Sequence, residues 1–138
     1  MRFWDSSALV PLLSDEEKTD IVRALFEQDR NIVTAFITPI EVISAICRKA
    51  GVNRDLRRSA MLRYKVLEAN WTLVDDYEQL VISARSIAAQ RCLRTGDAIQ
   101  LACAIRARPD KSLPFVSFDE ELLEAAAAEG FPTLPSPE

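Results

Sequence analysis

The sequence predicts an α/β fold built on a mainly parallel sheet, and two observations carry that prediction. Short apolar runs bounded by turn residues alternate with longer stretches of helical periodicity along the chain, and several of the helical stretches carry their own start and stop signals. Arg2 to Asp5 reads as the end of a short buried strand, followed by a short helix with Leu9, Val10, Leu12 and Leu13. In SDEEKTDIVRALFEQD (14–29), Ser14 and Glu17 form a capping box, and Ile21, Val22, Leu25 and Phe26 recur at helical spacing. NIVTAF (31–36) is a second strand. TPIEVISAICRKAG (38–51) is a helix with Thr38 as N-cap, Pro39 in the first turn and Gly51 as its stop.

Another helix runs from Asn53 to about Ala69, and WTLVD (71–75) is the third strand. YEQLVISARSIAAQR (77–91) follows as a helix on the Leu80, Ile82, Ala84, Ile87 pattern. TGDAIQLACAIRAR (95–108) is a helix capped by Thr95 and closed by Pro109, and FVSF (115–118) is the fourth strand. DEELLEAAAAEG is a helix ending at Gly130, and the tail FPTLPSPE adds a last short strand before fraying. No internal repeat or interdomain linker interrupts this order, so residues 1–138 read as a single domain.

With 138 residues, 49% of them hydrophobic and 28% charged, the chain can bury a core, which excludes disordered and fibrous classes. No apolar run approaches the roughly 18 residues of a membrane span, and Asp5 interrupts the first apolar stretch before it resembles a signal peptide. A cytoplasmic protein with no membrane partner is expected. Cys47, Cys92 and Cys103 are odd in number and lack C-x-x-C spacing, so they read as small core hydrophobes rather than disulfide or zinc residues. The chain has no histidine, which removes Ser-His-Asp triads and imidazole metal sites. Any catalysis falls to carboxylates or to a metal that they hold.

Charge is unevenly spread. The net charge is −4, yet RKAGVNRDLRRSAMLRYK (48–65) has seven basic residues and one acid, so this window is +6 and the rest of the chain −10. Arg48, Lys49, Arg54, Arg57 and Arg58 are candidates for gripping a polyanion such as RNA, although a solvated helix face reads the same way.

Four acids stand at corresponding places. Asp5 follows the first strand, Glu41 and Asp97 lie in the first turns of helices, and Asp119 follows the fourth strand. In a parallel sheet the carboxyl ends of the strands share one edge, where ligand crevices open. Each acid also has a plainer reading as a capping or helix-dipole residue: Thr38 to Glu41 and Ser117 to Glu120 both fit capping boxes. Two carboxylates about 4 Å apart repel by roughly 4 kcal/mol at an effective dielectric near 20, so four converging acids require a cation or shared protons. All-oxygen donors select Mg²⁺ or Mn²⁺ over zinc, and a bound Mg²⁺ keeps water ligands suited to hydrolysing phosphate esters.

With FWDSSALV (3–10), TPIEVISA (38–45), LRTGDAIQLACA (93–104) and FVSFDEELLEAAAAEGF (115–131) in this order and spacing, the chain resembles the PIN domain family, and within it the VapC-type toxin ribonucleases of toxin–antitoxin pairs. The resemblance implies a PIN-like three-layer sandwich with a five-stranded sheet in which strand one lies between strands two and four. It implies Asp5 and Asp97 as the foremost metal ligands, Glu41 and Asp119 as partners in binding metal or orienting water, and Ser7 as a hydrogen-bonding support or an N-cap. The implied reaction is endonucleolytic RNA hydrolysis with Mg²⁺ or Mn²⁺, by a homodimer silenced by a VapB-like antitoxin. Gln100 and Ser117 depart from the residues, His and Thr, that relatives often carry there. Two other readings stay open: a Mg²⁺-dependent phosphatase or phospho-acceptor, which D-S-S in place of D-x-D disfavours, and a non-catalytic PIN-like protein-binding module.

Overall fold

Successive side chains of a strand point to opposite faces, so a strand covered on both sides must be apolar at consecutive positions. In the computed structural model, which describes residues 1–136, strand β1 (Arg2–Trp4) meets that condition with Phe3 and Trp4, both fully buried. Phe3 joins one core cluster and Trp4 the other. The same division holds in β2 (Ile32–Ala35), where Ile32 faces the Trp4 side while Val33 and Ala35 face the Phe3 side. In β4 (Phe115–Val116) the two residues again part to opposite faces.

With β3 (Thr72–Val74) and β5 (Thr133–Leu134) these strands form one five-stranded sheet in the order β3-β2-β1-β4-β5, every pair parallel. Strand β1 lies between β2 and β4, as the family resemblance implies. Its register sets Phe3 beside Phe115, whose rings stack with centroids 5.2 Å apart. Full burial of residues such as Phe3, Leu9 and Phe115 stabilises the fold by about 1.5–3 kcal/mol each.

Helices cover both faces. The Trp4 side packs against α1 (Ser6–Leu13), α2 (Thr19–Gln28), α3 (Thr38–Ala50) and α4 (Arg54–Glu68) through Leu9, Val22, Val42, Ile46 and Tyr64. The Phe3 side packs against α5 (Tyr77–Arg91), α6 (Thr95–Ala107) and α7 (Glu120–Ala128) through Leu80, Ile87, Leu101 and Leu122. The result is the expected three-layer sandwich, with a sheet that is parallel throughout the described residues. No helix among them is long and apolar enough to cross a membrane.

Several helix starts differ from the expectation. Helix α2 begins at Thr19, not Ser14, and the Ser14–Glu17 box does not form: Thr19 Oγ1 accepts from the Glu16 N–H at 2.9 Å and donates to the Pro11 carbonyl at 2.9 Å, fastening 14–18 as a turn. Thr38 is a buried first-turn residue behind Ile37 at the N-cap, and Thr95 stands one place inside α6. The second box fails too, because Asp119 itself caps α7. Of the cysteines, Cys103 is buried and Cys47 half-buried, but Cys92 is exposed in a left-handed turn closing α5, so it is no core residue. Gly130, at φ +93°, ends α7 as expected, with its N–H and that of Phe131 returning to Ala127 and Ala126. The expected last strand is β5; the fraying of the final two residues lies outside the described chain.

Candidate active site

The chain leaves β1 for α1 on one face of the sheet and leaves β4 for α7 on the other. Neighbouring parallel strands that depart to opposite faces open a crevice at their carboxyl ends. Asp5 and Asp119 follow those two strands, and the cavity there, about 240 Å³, is lined by Asp5, Glu41, Asp97 and Asp119 together with Ser6, Ser7, Gln100 and Arg48. Four acids from distant parts of the sequence therefore meet.

Asp5 occupies the N-cap position of α1 in extended conformation yet makes no capping bond. Its Oδ1 accepts instead from Ser7 Oγ at 2.8 Å, and Ser7 Oγ accepts the Phe118 N–H at 2.9 Å, so the carboxyl is tied to the turn after β4. Ser7 is therefore a carboxylate support and not an N-cap. Burial pushes the Asp5 carboxyl up to about 7, with the Glu41 charge adding to the rise and the hydrogen bonds from Ser7 and Ser117 opposing it.

Glu41 forms no capping box. Its Oε1 accepts from Ser6 Oγ at 2.6 Å and from Gln100 Nε2 at 2.7 Å, while its own N–H bonds the Ile37 carbonyl within the helix ladder. Gly96 makes room for it, since a β-carbon there would stand 3.1 Å from Glu41 Oε2. Asp97, in the first turn of α6, is pushed up to about 6 by burial, then by Asp119 and Glu41, with Arg94 opposing. Asp119 does cap its helix, accepting the Leu122 N–H at 3.1 Å. Of the four acids Asp119 alone makes a capping bond, while Glu41 and Asp97 stand in first turns where the helix dipole also favours them.

These residues suit a hard divalent cation. The titratable lining consists of oxygen acids and one arginine, with no thiol among it, and burial together with neighbouring carboxylates raises the proton affinity of Asp5 and Asp97. Among the described residues, no three acidic or cysteine side chains are gathered tightly enough to hold an ion as they stand, so the acids line the cavity without forming a closed ligand shell. Two larger hollows, about 790 Å³ between α1, α2 and α4 and about 540 Å³ beside Cys92, contain none of the four acids. Convergence of titratable groups, not size, marks the site.

The basic candidates do not converge. Arg48 lines the acidic cavity, but Lys49 pairs with Glu16 at 2.7 Å and Arg57 donates to the Gly51 carbonyl at 2.9 Å. Arg54 and Arg58 are exposed on α4, away from the cavity lining. Ser6 and Gln100 are the residues that sequence reasoning passed over as site members. The signal for Gln100 was its place three residues after Asp97, one turn along the same helix face; for Ser6 it was a hydroxyl adjoining Asp5.

The chain thus combines a parallel three-layer α/β sandwich with four acids that line one cavity at the switch point of its sheet. The chain belongs to the PIN domain family, whose sequence profile matches residues 2–128. PIN domains are in general nucleases and typically use divalent metals. No curated protein sequence matches the chain. The fold is similar to the crystal structure of PAE2754 from Pyrobaculum aerophilum, with 21% identity and a TM-score of 0.71 over 96% of this chain and 88% of that one. It is also similar to the crystal structure of FitAcB from Neisseria gonorrhoeae, with 16% identity and a TM-score of 0.67 over 96% of each chain.

Proposed function

We propose that the chain is a single-domain, Mg²⁺- or Mn²⁺-dependent endoribonuclease of the VapC type, the cytoplasmic toxin of a toxin–antitoxin pair. The observation that carries this reading is the meeting of Asp5, Glu41, Asp97 and Asp119 in one cavity at the carboxyl edge of the sheet, with Asp5 almost fully buried. A carboxyl forced into such a site costs free energy unless a proton or cation accompanies it.

Asp5 and Asp97 would hold the ion, with Glu41 and Asp119 completing the oxygen set or orienting water. A bound Mg²⁺ or Mn²⁺ supplies Lewis acidity toward phosphate oxygens and lowers the pKa of its water. The chain's own groups do the remaining work. Ser7 fixes Asp5 against the turn after β4, Ser6 and Gln100 fix Glu41, and Arg48 at the cavity attracts the RNA phosphate. Arg54 and Arg58 extend the positive surface along α4, with Lys49 and Arg57 adding charge to it.

Homodimerisation and silencing by a VapB-like antitoxin follow from the family resemblance. A basic side chain of that partner would find in the acidic cavity the same charge that attracts the metal. The phospho-acceptor reading is weaker, because Arg48 is the cation lining the cavity and no lysine accompanies it.

The test is incubation of purified protein with total RNA in Mn²⁺, in EDTA, and with Glu41→Gln in Mn²⁺. Glutamine can still accept from Ser6 and Gln100 through its carbonyl oxygen but is a poor Mg²⁺ ligand. Cleavage confined to the wild-type protein with metal supports the proposal; cleavage by a folded Glu41→Gln protein at the wild-type rate refutes the role of Glu41.

A further inference from the structure

Gln100 is 2% exposed in α6, where an apolar side chain would be the ordinary choice. Its Nε2 lies 2.7 Å from Glu41 Oε1, 3.0 Å from Thr38 Oγ1 and 3.2 Å from Ser6 Oγ. Its carbonyl Oε1 is buried without a hydrogen-bond partner. Such an orphan is destabilising, because the carbonyl oxygen gives up water without gaining a partner. Turning the amide over would set that carbonyl oxygen against the Glu41 carboxylate, oxygen on oxygen. The orientation that tolerates an orphan is therefore the one that keeps N–H donors on Glu41.

The hydrogen bonds behind Gln100 brace it. The Thr34 hydroxyl is 2.6 Å from the Trp4 carbonyl and 2.7 Å from Thr38 Oγ1. A carbonyl only accepts, so the single Thr34 proton goes to Trp4, the Thr38 proton goes to Thr34, and the Thr38 oxygen takes one N–H of Gln100. The other N–H is left for Glu41. Ser6 spends its own proton on the same Glu41 oxygen at 2.6 Å. One carboxylate oxygen is thereby anchored through Gln100 to β1 and β2 and through Ser6 to α1. The other, Oε2, accepts no hydrogen bond among the described residues and lies beside Gly96 at the start of α6.

We propose that Gln100, together with Ser6, is a positioning residue for Glu41: the pair grips Oε1 so that Oε2 is held in one orientation for a divalent cation. This rests on the metal-dependent reading above. Groups that orient a metal's ligands preorganise the site, and losing one characteristically weakens metal binding or activity without unfolding the protein.

The test compares wild-type protein with Gln100→Met, Ser6→Ala and the double variant. Mn²⁺ affinity is read by titration calorimetry, stability by thermal unfolding, and RNA cleavage as separate kcat and KM. Methionine keeps the length of the side chain and removes both the donors and the orphan, while Glu41 retains Ser6 and Thr38 retains Thr34. The expected result is unfolding near the wild-type temperature, Mn²⁺ binding weakened by about 10–100-fold, and a fall in kcat with KM for RNA little changed. The double variant should lose less than the product of the two single losses if both act through the same oxygen.

Wild-type affinity and kcat in Gln100→Met would overturn the positioning role and leave the nuclease reading intact. A wild-type protein that binds no Mn²⁺ would overturn both. Should Gln100→Met fail to fold, Ser6→Ala decides alone, because it removes the other donor from the same oxygen; unchanged Mn²⁺ affinity there overturns the proposal.

Discussion

The acidic cavity and the basic helix α4 carry opposite charge, but they differ more in what surrounds the charges. Asp5 and Glu41 are held by side-chain donors within 2.6–2.8 Å, and Asp5 is 4% exposed. Arg54 and Arg58 are exposed, and the bonds made nearby by Lys49 and Arg57 go to a surface glutamate and to the end of α3. One region is preorganised at a cost in stability; the other is a solvated field that gains nothing from precise placement. A buried carboxyl with fixed partners discriminates between ions, whereas exposed arginines attract any polyanion in proportion to its charge.

The sharpest way to break this contrast is to neutralise the cavity. Asp5→Asn and Asp97→Asn should each lower metal-dependent RNA cleavage by about 10²–10⁴-fold, a range typical for removing a positioned catalytic group. Circular dichroism and gel filtration should show the fold retained. Full cleavage by either folded variant would remove that acid from the proposed metal-binding set.

Stability should move the other way. Burial raises the folded-state values of Asp5 and Asp97 above 3.8, to about 7 and about 6, so folding takes up protons across that interval. Their favourable contribution is complete below about pH 4 and is lost as pH climbs through 6 and 7; for nearly buried Asp5 this amounts to at most roughly 4 kcal/mol. In EDTA, the unfolding temperature of the wild-type protein should therefore fall between pH 4.5 and 7.5. Asp5→Asn should flatten that fall, as should saturating Mg²⁺. An equally steep fall in Asp5→Asn would mean that another group sets it.

The basic region should respond more weakly and less specifically. Arg48→Ala, at the cavity, should lower cleavage more than Arg57→Ala with Arg58→Ala combined. The double change should chiefly flatten the salt dependence of RNA binding, by about 1.4 in log–log slope if both residues meet phosphates. An unaltered slope would assign those arginines to the protein's surface alone.

The smallest effect is expected at Gly96. Alanine should favour α6 by roughly 1 kcal/mol in helix propensity, yet its β-carbon would stand 3.1 Å from Glu41 Oε2. Cleavage should fall a few-fold with the unfolding temperature held or raised, a pairing that comparison of activity with thermal melts would detect.

Most of the element order was legible because apolar period and turn chemistry are local properties. The errors were local as well, and two of them arose where a threonine hydroxyl found partners other than its own helix start. Thr38 looked like an N-cap but is buried against Thr34 and Gln100; Ser14 looked like one until Thr19 took the turn. Gln100 read only as a departure from relatives, because nothing near it in the chain reveals that Thr38, Ser6 and Glu41 surround it. The basic strip was visible as composition, but composition does not say which of its members reaches a cavity.

By itself, the sequence determined the alternation of strands and helices, the all-oxygen chemistry available to a chain without histidine, and the four acids at corresponding turns. Only the tertiary structure decided that Asp5, Glu41, Asp97 and Asp119 share one cavity, that Arg48 alone of the five basic candidates lines it, and that Ser6, Ser7 and Gln100 hydrogen-bond the carboxylates of Asp5 and Glu41. The reason is physical: propensity and periodicity act over a few residues, whereas proton affinity and hydrogen-bond partnership depend on what packing brings within a few ångströms, however far apart in the chain.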